Sequence, residues 1–355
     1  MRFARSASLR PIYKRNILLA RLSAVFTSST ADGRDAVEGK PNSVRLKELM
    51  NYTSDQLSNP ACFDDIKPFI EILDSSGLEW LIRELPRYLE AKADDERKQA
   101  RLTMLTLKLR YFILTFPAAR SSGLGDSLAS ISRAAVTTYR EKATGSPDER
   151  SGIHSELVVL IALCYIDMAN QSATGITSSD SLRYLIKALS VLEEHLSRSP
   201  KDSVVSLLLV QLHLRVGSAS RARVLWDDLG VKRTIVDSIA PILCDRLSTI
   251  APKLLSASDR RGAELAESVR SHYEVSLKHP MPRRLLGAFE EESYSSILQI
   301  PQFVDNLRNS CTRVMSLVEE SRTARLLDGA YSGLVHQSRY RKSWPLSSWK
   351  DPNIR

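Results

Sequence analysis

Apolar residues recur at three- and four-residue steps along almost the whole chain, and clusters of Pro, Gly and Ser interrupt them at intervals suited to helical hairpins. The pattern predicts helices near 14–28, 43–58, 65–73, 76–90, 94–115, 124–142, 151–170, 180–198, 203–216, 219–229, 232–249, 257–279, 283–294 and 300–330. Strand-like alternation is absent. The stretch 203–214 is nearly continuous in apolar residues (Val204, Val205, Leu207, Leu208, Leu209, Val210) and suits a strand by local propensity. Its helix-like neighbours, and Asp202 as a cap, favour a buried helix. In the 65–73 helix Asp65 reads as the cap, which puts Pro68 in the first turn, where a missing backbone donor does little harm. Gly123, Gly125 and the stretch 145–147 mark turns.

One internal pattern is sharper. Ala188, Leu192 and Pro200 are followed by Leu209, Gly217, Ala222, Trp226 and Leu229, spacings close to those of a tetratricopeptide repeat. Small residues such as Ala188 and Ala222 let helices approach, Leu192 and Trp226 fill the gap, and Pro200 ends a helix before the next hairpin. Trp226 therefore reads as core, not as part of a ligand box. The expected fold is all-α, a superhelical array of degenerate tetratricopeptide-like hairpins. The remaining hairpins lack the consensus, so a generic α-α repeat or a compact helical domain also satisfies the pattern. The expected organisation is a basic, flexible N-terminus (1–12), a helical-repeat scaffold (13–332) and a basic, irregular tail (333–355).

Composition agrees with helices: the 355 residues include only 14 Gly, and aromatic residues are sparse. The four cysteines, Cys62, Cys164, Cys244 and Cys311, lie far apart in apolar contexts, without the short spacing of a zinc site or redox dithiol. Buried, reduced thiols in a reducing compartment are the expectation. No apolar run near twenty residues stands out, so a soluble protein is expected.

The net charge of +9 is concentrated at the ends. The first 24 residues carry Arg2, Arg5, Arg10, Lys14, Arg15 and Arg21 without an acid, and the last 35 are also basic. Residues 1–30 consequently mimic a mitochondrial presequence, amphipathic through Ile17, Leu18, Leu19, Leu22 and Phe26. The competing reading makes 13–26 a helix of a repeat array.

Candidate chemistry is scarce. His154, His195, His213, His272, His279 and His336 are dispersed, and none forms the HExxH spacing that places two imidazoles on one helical face. His213 reads as a core histidine. No glycine pattern offers a backbone cradle for a phosphate or a dinucleotide. The pairs Asp64–Asp65, Asp94–Asp95, Asp227–Asp228 and Glu319–Glu320 read as solvated faces or helix caps. Catalytic, cofactor-binding and metal-ligating residues are therefore expected to be absent.

The segment 60–69 carries a resemblance. Pro60, Cys62, Phe63, Asp65, Lys67 and Phe69 resemble, at these spacings, a segment of the non-catalytic auxiliary subunit of the N-terminal acetyltransferase B (NatB) complex. A second stretch, Ala188 and Leu189 through Pro200, then 206–212 and Gly217, is similar to a repeat in the middle of that family's solenoid. A third, covering Ser293, Tyr294, 300–303 and 322–325, resembles the long helix that follows those repeats.

The resemblance implies a superhelical scaffold that holds a separate GNAT-fold catalytic subunit, which would bind acetyl-CoA. It implies action at the ribosome on nascent chains beginning Met-Asp, Met-Glu, Met-Asn or Met-Gln, in the cytoplasm. No membrane is implied, and nucleic acid only indirectly through the ribosome. Family members are several hundred residues longer, so the chain reads as a truncated member. The alternative is a mitochondrial helical-repeat protein that binds RNA or the mitochondrial ribosome. A stand-alone enzyme has less support from the residues.

Overall fold

The computed structural model describes residues 10–31, 44–91, 93, 95–116, 123–141, 147–172, 178–231, 233–251, 261–278 and 281–326. Most of the 1–12 and all of the 333–355 expectations lie outside these residues, as do Gly145, His279 and His336. Every regular element among the described residues is a helix, so the chain is all-α. It divides into two compact units, Met1–Val205 and Ser206–Arg355.

The first unit contains α1 (Pro11–Ala31), α2 (Val44–Gln56), α3 (Cys62–Ile70), α4 (Ser75–Glu90), α5 (Glu96–Thr115), α6 (Leu124–Glu141), α7 (Pro147–Ser172) and α8 (Ser178–Arg198). Helices near in sequence pack together: α1 on α2, α4 on α5, α6 on α7 and α7 on α8. That neighbour-to-neighbour packing is the arrangement of a helical-repeat array. Several starts have local causes. Asp74 caps α4 through Gly77 N–H (2.8 Å), and Asp95 caps α5 through Lys98 N–H (2.6 Å).

The centre of this unit is α5. Leu102, Leu105, Leu109 and Ile113 join a core with Leu49, Ile66 and Leu81. Its other side places Ala100, Met104 and Leu107 among Leu128, Leu157, Ile161 and Cys164. Two buried faces explain why α5 lacks a clean apolar stripe. Each fully buried aliphatic side chain contributes about 1.5–3 kcal/mol.

Next to it, α7 corrects one expectation. Its stretch Gly152–Gln171 is long and apolar enough, by length and composition, to cross a membrane. Here it is a core helix. Leu157, Val158, Ala162 and Cys164 are buried, and Glu156 and Asp167 face α5. Glu156 accepts from Arg101 (2.7 Å) and Lys108 (2.6 Å), and Asp167 from the Tyr111 hydroxyl (2.6 Å).

The chain division falls within α9 (Ser203–Arg215), which is the helix the sequence favoured, not a strand. It is capped as expected, with Val205 N–H donating to Asp202 Oδ1 at 3.2 Å. The second unit continues with α10 (Ala219–Asp228), α11 (Arg233–Cys244), α12 (Leu247–Ile250), α13 (Arg261–Lys278), α14 (Met281–Glu290), α15 (Tyr294–Arg308) and α16 (Cys311–Leu326). Its main polar junction is Asp237 on α11. The carboxylate accepts from the hydroxyls of Tyr273 (α13) and Ser310, while the Asp237 carbonyl accepts from Thr312 Oγ1 (2.7 Å). Ser310 also caps α16, accepting from Thr312 N–H (3.1 Å) and Arg313 N–H (3.3 Å).

Several sequence expectations need correction. The helix expected from 65 begins at Cys62, so Asp65 is not its cap and Pro68 lies inside the helix. The single helix expected over 232–249 breaks after Cys244, where Arg246 takes a left-handed conformation with φ 55°. Tyr294 and Ile300 share α15, which carries Pro301 in its interior, and the expected 300–330 helix breaks at Asn309 and Ser310. Cys62, Cys164 and Cys244 are buried, whereas Cys311 is exposed. Glu319, read as solvated, is 8% exposed and accepts from Ser248 N–H at 2.9 Å.

Candidate partner-binding surface around the 60–69 segment

The 60–69 segment folds as a tight turn followed by α3. Asn59 Oδ1 accepts from Ala61 N–H (3.0 Å) and the Asn59 carbonyl from Cys62 N–H (3.0 Å), with Pro60 between them. From Cys62 onwards the helical period sorts the characteristic residues into three four-residue pairs, each aimed at a different neighbour.

Cys62 and Ile66, with Ile70 one turn further on, form the fully buried face. Phe63 and Lys67 meet α5: the Phe63 and Phe112 rings lie edge to face at 5.9 Å. The Lys67 ammonium stands 5.2 Å over the Phe112 ring and the Lys108 ammonium 5.6 Å over Phe63. Asp65 and Phe69 meet α1 and α2. Asp65 takes a two-pronged hydrogen bond from the Arg15 guanidinium and another from the Tyr52 hydroxyl. The Phe69 ring tilts against Phe26 at 5.0 Å.

Electrostatics follow from this packing. Burial alone would raise the Asp65 carboxyl, but the hydrogen bonds from Arg15 and Tyr52, together with the Arg15 charge, hold it below the usual carboxylate range. Burial pushes the Tyr52 phenol up, and its bond to Asp65 adds to that. Burial also pushes the Cys62 thiol up to about 12, with Asp65 adding in the same direction. A thiol so raised stays protonated near neutrality and is a poor nucleophile. Asp65 thus ties three helices together, which its reading as a solvated or capping residue missed. Its partners Arg15 and Tyr52 lie 50 and 13 positions earlier, beyond any local pattern.

The repeat-like residues have structural settings of a different kind. Pro200 sits in the turn between α8 and α9, directly after Ser199 N–H closes the last turn on the His195 carbonyl (2.9 Å). His195 is buried and reaches Asp202 (3.1 Å) through Nε2, while its Nδ1 lies 3.4 Å from the Tyr139 hydroxyl. Gly217 ends α9 with φ 80°, and Ser218 N–H reaches back to the His213 carbonyl (2.7 Å). Ala222 and Trp226, four apart on α10, are both buried. His213 is buried too. Among the described residues no group of His, Cys, Asp and Glu comes together as a metal site.

A family profile described as the non-catalytic subunit of the N-acetyltransferase B complex (NatB) matches residues 2–351. The chain belongs to this NatB non-catalytic subunit family. Two curated relatives agree. The N-terminal acetyltransferase B complex subunit arm1 of Schizosaccharomyces pombe is 22% identical over 287 residues, 77% of this chain and 33% of that protein. The subunit MDM20 of Saccharomyces cerevisiae is 25% identical over 163 residues, 45% of this chain and 20% of that protein. The chain therefore spans about a third or less of the relatives it matches. In this NatB-family chain the 60–69 segment is a packing element, since each of its characteristic side chains except Pro60 has an identified role in joining helices.

Proposed function

We propose that this chain is an auxiliary scaffold of NatB that holds the GNAT-fold catalytic subunit and helps it act on nascent chains as they leave the ribosome. The substrates are chains beginning Met-Asp, Met-Glu, Met-Asn or Met-Gln. Acetyl-CoA binds the catalytic partner, and the site of action is cytoplasmic. The observation that carries this reading is the family match over residues 2–351. The all-α architecture supports it, because stacked helical hairpins offer a long surface to a smaller protein. The packing of α1 supports the cytoplasmic reading over a presequence: Leu22 and Phe26 are buried, and Arg15 and Arg21 pair with Asp65 and Glu48.

Co-expression with the tagged NatB catalytic subunit of the same organism tests the proposal. The expected result is recovery of both chains in one peak at a fixed ratio. Recovery of the catalytic subunit alone, with this chain folded in the flow-through, would refute it.

A further inference from the structure

We infer that the notch beside the start of α3 is a docking site for an acidic side chain of a partner protein, the catalytic subunit under the reading above. The notch is a small, half-open depression. Leu57, Met104, Leu105 and Phe63 give it apolar lining, and Pro60 and Cys62 contribute to its wall. Its charged residues are Arg101, Lys108 and Glu156.

Those three groups are unbalanced. Glu156 divides its two oxygens between Arg101 (2.7 Å) and Lys108 (2.6 Å), so one carboxylate faces two cations. All three side chains are mostly withdrawn from water, at 12%, 22% and 23% exposure for Arg101, Lys108 and Glu156. Arg101 Nε is buried and has no acceptor among the described residues. A partly desolvated pair of cations sharing one carboxylate attracts a second carboxylate more strongly than a solvated surface lysine would. The Lys108 ammonium is already held by Glu156 and by the Phe63 ring 5.6 Å away, so little ordering remains when an anion arrives. The 60–69 segment thereby acquires an outward role: Pro60, Cys62 and Phe63 shape the notch that Lys108 and Arg101 charge.

The test uses a fluorescein-labelled hexaglutamate peptide, its hexaglutamine counterpart, and free acetate as competitor, with binding read by anisotropy. Hexaglutamate should bind and hexaglutamine should not. Lys108→Met, which keeps the aliphatic stem and removes the charge, should weaken binding by about tenfold, the loss of one charge-assisted contact. Lys47→Met on the exposed part of α2 makes the same charge change elsewhere and should leave binding within about twofold. Glu156→Gln removes the competing carboxylate and should tighten binding by about threefold or more. This rise cannot come from misfolding, so it decides the matter if Lys108→Met lowers the melting temperature. Equal effects of Lys108→Met and Lys47→Met, or weaker binding by Glu156→Gln, would overturn the inference. So would displacement by acetate at equal carboxylate concentration, which would make the ligand a free anion. The peptide experiment contains no catalytic subunit, so its outcome is separable from failure of the scaffold reading.

Discussion

Two short helices of similar length and apolar pattern have opposite fates. In α3 Cys62, Ile66 and Ile70 are buried, and the flanking positions are taken by aromatic, cationic and carboxylate contacts to α1, α2 and α5. In α14 Met281, Leu285 and Ala288 mark an equally clear stripe, yet no residue of the helix is buried. Leu286 and Phe289 are 59% and 64% exposed, and Leu298 on the adjoining α15 is 80% exposed. Periodicity states that a helix has an adhesive face. Whether that face is covered depends on elements far away in the chain.

This contrast can be broken or sharpened by substitution. The largest effect is expected from Ile66→Ala, which opens a cavity at a fully buried position and should cost about 2–5 kcal/mol in denaturant unfolding. Asp65→Ala strips Arg15 and Tyr52 of their shared acceptor and should cost about 2–3 kcal/mol, with loss of the amide protection that ties α1 to α2 and α3.

The same carboxylate sets a pH dependence. Its folded pKa is lowered, and the unfolded value is about 3.9. Its contribution is therefore complete above about pH 5 and lost as pH falls through the folded value. Asp202, lowered through hydrogen bonds from Ser155, Val205 and His195 that outweigh its burial, acts in the same direction. Asp65→Asn should flatten the acid limb of the stability curve, and an unchanged acid limb would contradict the assignment.

Gly217→Ala should cost about 1 kcal/mol. A Cβ there meets nothing within 4 Å, so the penalty is left-handed backbone strain alone. Leu286→Ala on α14 should change stability by less than about 0.5 kcal/mol, and a loss comparable with Ile66→Ala would show that the α14 face is covered in solution.

Helix identity was legible because the three- and four-residue period was strong nearly everywhere. Asp202 was recognisable as the α9 cap because its partner, Val205, is three residues away. Asp65 carried the same local signature as Asp202 but was claimed by Arg15 and Tyr52, so the α3 start was misplaced. The expected helix began at 300, yet α15 starts at Tyr294 and carries Pro301 in its interior, and the break comes at Asn309, where Ser310 supplies the cap for α16. The 60–69 resemblance identified the characteristic residues without their contacts. Phe112, Lys108 and Arg101 escaped notice because nothing in α5 itself marks which of its two buried sides meets α3.

The scaffold claim is tested most directly by measuring acetyl transfer from acetyl-CoA to a Met-Asp peptide by the purified catalytic subunit, with and without this chain. The account predicts a saturable rise in kcat/KM as the chain is added, reaching its plateau at a one-to-one ratio. An unchanged rate at excess folded chain would contradict it.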